Sequence, residues 1–285
     1  MKRAVFFLIS ALSVFAFSFT MTRFFEKPSS LFKMGTNAPS PPSSYALKNR
    51  SFTIVVVGYN NGAFIEKTLN SLLCQNYDPF RLVYIDDASD DGSFEVARDA
   101  IYNSDRIAHV TLVKNEEKLG ELANVYRAVQ ACPDDEIVIV LDPNDWLAHE
   151  WVLQRLNAYY ENPSTWMCLA KKIDYPSYEW SFSKHFKGER SHLKSFYAAL
   201  FKKIRESDFI YSGKFLPLGA ELAYMTPMLE MAQNHLQFVP EVLCVNLKEK
   251  KEMEDRELMQ SAEKKIRSLE PYTPLTLLEL HPCVE

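Results

Sequence analysis

Acidic side chains directly follow apolar, strand-like runs at two places in this sequence of 285 residues. Asp142, Asn144 and Asp145 come after the run IVIVL, and Asp86 and Asp87 come after the run LVYI. Carboxylate and amide oxygens without neighbouring cysteine or histidine suit a hard divalent cation such as Mg²⁺ or Mn²⁺. Such a cation would bridge a phosphorylated ligand and screen the charge that develops on a diphosphate leaving group. The two clusters therefore predict a metal-assisted diphosphate site.

The spacing of the apolar runs indicates which elements must position these side chains. Strand-like segments lie at residues 52–58, 81–86, 108–113 and 136–142, and a helical pattern fills each gap. Continuous Val/Ile-rich runs indicate strands buried on both faces, and strand–helix units of this length indicate parallel crossovers. We therefore predict an α/β fold with a doubly wound, mostly parallel sheet. Ligands of such sheets bind beyond the carboxyl ends of the strands.

Composition and motif content exclude several other classes of protein. The sequence has no G-x-G-x-x-G after the first strand and no G-x-x-x-x-G-K-[ST], so dinucleotide-binding and P-loop interpretations lose their main support. A net charge of −5 gives no indication of a nucleic-acid partner. The five cysteines are scattered without a C-x-x-C pair, so neither a zinc site nor a disulfide framework is predicted.

Several ordered motifs resemble those of family 2 glycosyltransferases, which have the GT-A fold. The segment TIVVVGYNNGAFIEKTLNSLLCQNYDPFRLVYIDDASDDGSFEVA is similar to the opening of that family. LGELANVYRAVQAC resembles its Gly-x-x-x-Ala-Asn segment, and LDPNDWLAHEWVL stands where the family carries Asp-x-Asp-Asp. The resemblance covers about residues 52–160, and residues 190–246 are similar to the acceptor half of some of these enzymes. It implies a hexosyltransferase-type enzyme that moves a sugar, with inversion, from a UDP- or GDP-sugar to a hydroxyl of a glycan, lipid or protein acceptor.

The resemblance also implies roles for the residues that match its motifs on the donor side. Tyr59 and Asn60 would border the nucleoside of the donor. Asp86 or Asp87 would hydrogen-bond the uracil-like edge of the base, and Asp142 would contact the ribose or the metal.

The metal ligands implied by the resemblance are altered in this sequence. Mn²⁺ or Mg²⁺ would be held by Asp142, Asn144 and Asp145, but the family carries an acid where Asn144 stands. An amide oxygen can coordinate a hard cation but brings no charge, so the affinity for the metal should fall. Asp145 would compensate for the lost charge.

On the acceptor side, the resemblance implies an acid at the start of a helix that acts as general base. Glu221 in LGAELAYMTPMLEMA has this position, and Glu230 is a weaker candidate further along the same helix. Residues 174–197 are polar and aromatic and are interpreted as an acceptor loop or lid. The acceptor-side candidates are Trp180, His192 and Lys194.

The termini differ in composition from the central part of the chain. Residues 4–21 contain no charge and as a helix would be ~27 Å long, close to a ~30 Å hydrocarbon core. We expect a membrane anchor or a cleaved secretory signal, and hence a membrane-anchored or secreted protein. The predicted domains are a signal or anchor (1–22), a Pro/Ser-rich linker (23–50), the glycosyltransferase-like domain (51–247) and a C-terminal helix and tail (248–285).

Two other functions stay open at the level of the sequence. A non-catalytic protein that binds nucleotide sugars, or a scaffold, could have kept the fold and lost full metal ligation at Asn144. A different α/β enzyme that handles nucleotides would make the similarity of the acceptor half a coincidence. Fold alone does not decide between an enzyme and a binding protein.

Overall fold

Strands and helices alternate through the first half of the computed structural model, which describes residues 48–177, 180–181, 192–247 and 256–281. The strands are β1 (Phe52–Gly58), β2 (Phe80–Asp86), β3 (Val110–Lys114), β4 (Ile137–Leu141), β5 (Trp146–Leu147), β6 (Met167–Tyr175), β7 (Trp180–Ser181), β8 (His192–Tyr197), β9 (Ile210–Tyr211), β10 (Lys214–Phe215) and β11 (Leu236–Leu247). The α-helices are α1 (Gly62–Leu73), α2 (Ser93–Tyr102), α3 (Glu121–Gln130), α4 (Val152–Tyr160), α5 (Ala198–Lys202), α6 (Glu206–Phe209), α7 (Ala220–Ala232) and α8 (Arg256–Arg267).

One large sheet holds most of these strands. Within the described residues its order is β3-β2-β1-β4-β8-β6-β11-β5, and β7 pairs with β6. The pairs β1–β2, β1–β4, β2–β3 and β6–β11 are parallel. β8 runs antiparallel to both β4 and β6, and β5 runs antiparallel to β11. The prediction of an α/β fold with a mostly parallel sheet is therefore confirmed, and the antiparallel strands lie in its second half.

Burial along the strands follows their position in the sheet. All seven residues of β1 are buried, since strands pair with it along both edges and helix α3 packs against it. β3 lies at the edge of the sheet, and every one of its residues keeps some exposure. The prediction that all four apolar runs are buried on both faces is thus wrong for β3, since an edge strand has one neighbour instead of two.

The stretch interpreted as an acceptor loop or lid, residues 174–197, is strand at both ends. Its first residues belong to β6 and its last residues form β8, a strand inside the sheet. The alternation of polar and apolar residues in HLKSFY is typical of a strand, and Lys194 was misleading because a buried lysine is rare. Residues 182–191 lie outside the described residues.

The structure describes the C-terminal helix but not the apolar segment near the N-terminus. Helix α8 packs with Ala262 and Ile266 buried, as its apolar spacing predicts. The apolar segment at residues 4–21 lies outside the described residues. Within the described part of the chain, no helix has the length and apolar character that crossing a membrane requires.

Candidate active site

The carboxyl ends of three parallel strands bring the predicted donor-side residues to one edge of the sheet. Gly58, the last residue of β1, is in register with Asp86 at the end of β2. On the other side of β1, Val56 is in register with Leu141, and Asp142 follows directly. Asp86 and Asp142 therefore lie at the ends of the strands on either side of β1, and the loop that carries Tyr59 begins at the end of β1 itself, which is the edge where ligands of such sheets bind.

The loop after β1 is tied to the loop after β2. The Asn60 backbone N–H donates to Ser89 Oγ at 3.0 Å, and its side-chain amide donates to Asp90 Oδ1 at 2.9 Å. The Tyr59 ring is 43% exposed, and Lys118 Nζ lies 3.3 Å from its centroid. Asn60 therefore shapes the loop through its own hydrogen bonds, whereas the Tyr59 ring keeps an accessible surface.

Asp87 is buried and its carboxylate is fully used by neighbouring donors. Burial alone would raise the pKa of Asp87, but hydrogen bonds from its neighbours outweigh burial and lower that pKa. The donors are the Leu119 N–H (2.9 Å), the Asn115 amide (2.8 Å), the Asn124 amide (2.9 Å) and the Gly120 N–H (2.8 Å). Asp87 thus holds the start of α3 against the end of β2.

Asp86 is also buried, but one of its oxygens is unused. Its Oδ2 accepts the Ser89 N–H at 2.9 Å, while Oδ1 has no hydrogen-bond partner among the described residues. The Tyr84 hydroxyl and both polar atoms of the Asn61 amide are buried and equally lack a described partner. A Cβ on Gly58 would lie 2.6 Å from Tyr84 Oη and 2.7 Å from Asn61 Oδ1, so only glycine fits there. Of the two predicted base contacts, Asp86 is the one with a spare acceptor.

We predict that Asp87→Asn lowers the free energy of unfolding by about 3 kcal/mol at pH 7, because an amide cannot accept all of these hydrogen bonds. The lowered pKa of Asp87 means that its stabilisation is complete above the ordinary carboxyl pKa and is lost as the pH falls through the lowered value. Denaturant unfolding of both proteins at pH 7 and pH 3 measures the difference, which should shrink at pH 3. A difference that is the same at both pH values would contradict the assignment.

The predicted metal-binding residues form a turn directly after β4. Asp142 Oδ1 accepts the Asn144 N–H at 3.0 Å, and its carbonyl accepts the Asp145 N–H at 3.0 Å. Thr68 of α1 donates its hydroxyl to the Pro143 carbonyl at 2.8 Å, which fixes the turn from the other side. Asp142 is exposed, and the Asn144 amide oxygen is buried without a partner in the described part of the chain.

The third residue of the turn is held by a buried lysine that the sequence did not single out. Asp145 is 1% exposed, and its Oδ2 lies 2.5 Å from Lys172 Nζ of β6. Burial would lower the pKa of Lys172, but the Asp145 carboxylate outweighs burial and raises it well above the ordinary value. The signal in the sequence was a lysine inside an otherwise apolar run, MCLAKKIDY.

A second buried lysine binds the predicted general base. Lys194 Nζ of β8 lies 2.7 Å from Glu221 Oε1 in the first turn of α7. Burial lowers the pKa of Lys194, and the Glu221 carboxylate opposes that shift. Glu230, the weaker candidate, instead accepts the Tyr272 N–H at 2.8 Å and fastens the C-terminal segment.

The two remaining acceptor-side candidates are described only by their backbone. Trp180 pairs with Ile173 in the β6–β7 ladder, and His192 pairs with Lys171 in the β6–β8 ladder. Their side chains lie outside the described residues. The structure therefore brings Lys194 and Glu221 together and leaves the surroundings of the other two side chains undescribed.

These residues do not fit the predicted site with three metal ligands. The Asp145 carboxylate is neutralised by Lys172, and Asn144 carries no charge. Asp142 and Asn144 offer two oxygen ligands and a single charge, fewer than hard cations usually receive without help from substrate oxygens and water. Within the described residues, no group of three or more His, Cys, Asp or Glu side chains is placed to hold a metal ion.

Comparisons with known proteins identify the family to which this chain is similar. The model of the family described as Glycosyl transferase family 2 matches residues 53–221. An uncharacterized protein of Mycobacterium tuberculosis (strain CDC 1551 / Oshkosh) is 30% identical over 129 residues, which is 45% of this chain and 38% of that protein. The chain therefore spans well under two thirds of the length of this curated relative.

Solved structures show the same fold at low sequence identity. S. aureus TarS 1–349 has a TM-score of 0.56 at 18% identity, over 69% of this chain and 60% of that chain. Its complex with UDP-GlcNAc has a TM-score of 0.55 at 18% identity, over 77% and 68%. The mannosyltransferase PcManGT from Pyrobaculum calidifontis, in complex with GDP-Man and Mn²⁺, has a TM-score of 0.54 at 18% identity, over 83% and 65%. The sheet is accordingly of the GT-A type.

Proposed function

This chain belongs to glycosyltransferase family 2, and on that premise we propose that it transfers a sugar from a nucleotide-diphosphate sugar to an acceptor hydroxyl. The observation that carries the proposal is the shared edge of the sheet, where Asp86 ends β2 and Asp142 follows β4, the strands on either side of β1. UDP-GlcNAc and GDP-Man are the ligands of the TarS and PcManGT structures. They support UDP- or GDP-sugars as the donor class.

Each donor-side residue has a role in this proposal that its surroundings support. The exposed Tyr59 ring stacks on the nucleoside, and the loop that Asn60 shapes borders it. Asp86 Oδ1, which lacks a described partner, accepts a hydrogen bond from the base. Asp142 is exposed at the end of β4 and contacts the ribose. Asp87 acts indirectly, because its carboxylate is occupied by the donors around α3.

The proposed reaction is an inverting displacement in which Glu221 is the general base. The acceptor hydroxyl oxygen forms a bond to the anomeric carbon, and its proton passes to the Glu221 carboxylate. The bond between the anomeric carbon and the diphosphate oxygen breaks, and the electron pair leaves with the nucleoside diphosphate. Glu221 is suited to this role because it stands in the first turn of α7, with its side chain 18% exposed.

No step of this mechanism is assigned to a divalent cation. The Mn²⁺ in the PcManGT complex makes a metal plausible for proteins of this fold. Of the three predicted ligands, however, Asp145 is bound by Lys172, which leaves Asp142 and the Asn144 amide oxygen. The predicted dependence on Mn²⁺ or Mg²⁺ therefore stays a prediction, which the nucleotide titrations described below test.

We predict that the purified full-length chain releases nucleoside diphosphate from at least one UDP- or GDP-sugar. Asp142→Ala should reduce this release by at least about 100-fold, because the residue contacts the donor throughout the reaction. Chromatography of the nucleotide products over a panel of donors measures both rates. Asp105→Ala, which removes another exposed carboxylate, is the matched control and should leave the rate unchanged.

A non-catalytic nucleotide-sugar-binding protein or scaffold is the second candidate function. Asn144 favours this candidate because an uncharged amide weakens metal ligation. The Lys194–Glu221 ion pair also favours it, because the lysine occupies the carboxylate of the proposed general base. Tight nucleotide binding without turnover over the whole panel would establish this alternative. Absence of binding to every nucleotide would contradict both candidates. The family match argues against a third candidate, an unrelated nucleotide-handling enzyme.

The location of the protein and the nature of its acceptor are also proposals. We propose that residues 4–21 anchor the chain in a membrane or direct it into a secretory route, with residues 51–247 as the catalytic domain. A glycan, lipid or protein hydroxyl is the acceptor. N-terminal sequencing of the membrane and soluble fractions distinguishes an anchor from a cleaved signal.

A further inference from the structure

Two ammonium groups are buried between the donor-side turn and the proposed base. The side chains of Lys172 and Lys194 are 7% and 6% exposed, and each contacts one carboxylate. Removing an ammonium from water costs several kcal/mol, which a single ion pair often fails to recover. The two lysines are therefore poorly explained by stability alone, and their position suggests a role in binding.

Both lysines lie close to the end of β4, where the donor diphosphate is expected. Lys194 is in register with Val140, two residues before Asp142. Lys172 contacts Asp145 at the other end of the same turn. The charges of Lys172 and Asp145 lie near enough to Lys194 to affect its protonation, so the groups form one electrostatic cluster.

The charges in this cluster differ from those of a site built for a divalent cation. Such a cation brings two positive charges and needs acidic ligands around it. Here one of the three predicted ligands is the neutral Asn144, and another, Asp145, is neutralised by Lys172. Lys172 is therefore already paired with Asp145, whereas Lys194 is paired with Glu221, whose side chain keeps 18% exposure. The Lys194 ammonium is thus the positive charge that this cluster can offer to a diphosphate once its contact with Glu221 is exchanged.

We propose that the ammonium of Lys194, supported by Lys172, supplies the positive charge that faces the donor diphosphate, so that nucleoside diphosphate binding needs no divalent cation. The identity of the ligand rests on the proposed function. Lys172 neutralises Asp145 and so prevents this carboxylate from repelling the diphosphate. Glu221, the partner of Lys194, is more exposed than Asp145, the partner of Lys172. Lys194 is therefore the lysine that can exchange its carboxylate partner for the diphosphate.

The proposal also gives the Lys194–Glu221 ion pair a purpose. Glu221 Oε1 lies 2.7 Å from the Lys194 ammonium, so this oxygen is occupied by a donor before the sugar donor binds. A diphosphate carries more negative charge than Glu221 and competes for Lys194 when the donor binds. The exchange leaves the Glu221 carboxylate free to accept the acceptor proton, so donor binding prepares the base. The charged and titratable groups that act on Lys194 are Glu221, Lys172, Asp145 and Cys244.

Calorimetric titration of the full-length chain tests this inference with UDP, UMP and uridine, or with the guanosine series if that base is preferred. In wild type, the diphosphate should bind with the same affinity, within about threefold, in EDTA and in Mn²⁺. Lys194→Met should weaken diphosphate binding by about 10–100-fold, the usual effect of a charge-assisted hydrogen bond, and leave nucleoside binding unchanged. Lys194→Arg should retain most of the affinity.

Lys171→Met is the matched control for Lys194→Met, because it also replaces a lysine of the same sheet by methionine. Lys171 is next to Lys172 in the chain, and its replacement should change diphosphate affinity less than twofold. Diphosphate binding that is lost in EDTA and restored by Mn²⁺ overturns the inference while leaving the proposed function intact. Equal diphosphate affinity for Lys194→Met and Lys171→Met overturns it as well. Failure of every nucleoside diphosphate to bind contradicts the proposed function itself. If Lys194→Met does not fold, the comparison of wild-type diphosphate affinity in EDTA and in Mn²⁺ still decides whether binding needs a divalent cation.

Discussion

Glu221→Gln is expected to slow sugar transfer by about 10²–10⁴-fold, which is the usual contribution of a positioned general base. Glutamine keeps the shape of the side chain but cannot accept the acceptor proton. Nucleotide affinity should not fall, because Lys194 loses a competing carboxylate and stays available to the diphosphate. Steady-state transfer rates and calorimetric titration of UDP or GDP measure the two effects separately.

Glu230→Gln is the control for this prediction, since it makes the same chemical change on the same helix. Its side chain accepts the Tyr272 N–H, which glutamine can also do, so the transfer rate should change less than about threefold. A Glu221→Gln enzyme that retains wild-type turnover would exclude Glu221 as the base. Loss of nucleotide binding in that variant would mean that the residue serves the donor site instead.

Lys172→Met is expected to lower the free energy of unfolding by about 3–5 kcal/mol, because it leaves the Asp145 charge buried and unpaired. Asp145 is 1% exposed, so water cannot replace the lost ammonium. The double variant Lys172→Met/Asp145→Asn removes both charges and should lose less than the sum of the single variants, by at least about 1 kcal/mol. Denaturant unfolding of the four proteins gives this coupling energy.

The Glu263–Arg267 pair on α8 is a suitable control for the buried pair. Both side chains are largely exposed, at 42% and 60%, and their hydrogen-bonded contact is 2.7 Å. Arg267→Met should change the free energy of unfolding by less than about 0.5 kcal/mol, as is usual for surface ion pairs. A coupling energy near zero for Lys172 and Asp145 would show that the buried pair does not organise the donor-side turn.

Local sequence patterns predicted the parallel half of the sheet and its binding edge. Four strand-like apolar runs with helical patterns between them predicted β1 to β4, and the structure pairs Gly58 with Asp86 in parallel. The rule that ligands bind beyond the carboxyl ends of strands then placed Asp86 and Asp142 at one edge. Each apolar run and the polar residues after it are contiguous in the chain, so a local pattern is enough to place those residues at the end of a strand.

Contacts between distant segments were the part that the sequence could not predict. Lys172 and Asp145 are 27 residues apart, and they meet only because β6 enters the same sheet. Asp87 is separated from the Gly120 N–H by 33 residues. The sequence therefore did not indicate that Asp87 holds the start of α3, and the residue was interpreted as a ligand-binding acid instead. Lys194 was read as part of a loop, because a buried lysine is expected only where a partner such as Glu221 is already known.

A crystal structure of the full-length chain with bound UDP or GDP tests the central claim most directly. We predict that the base lies beside Tyr59 and Asp86 and that the diphosphate lies between Asp142 and Lys194. A nucleotide bound elsewhere on the molecule, or bound at this edge with Asp86 and Asp142 turned away from it, would contradict the account.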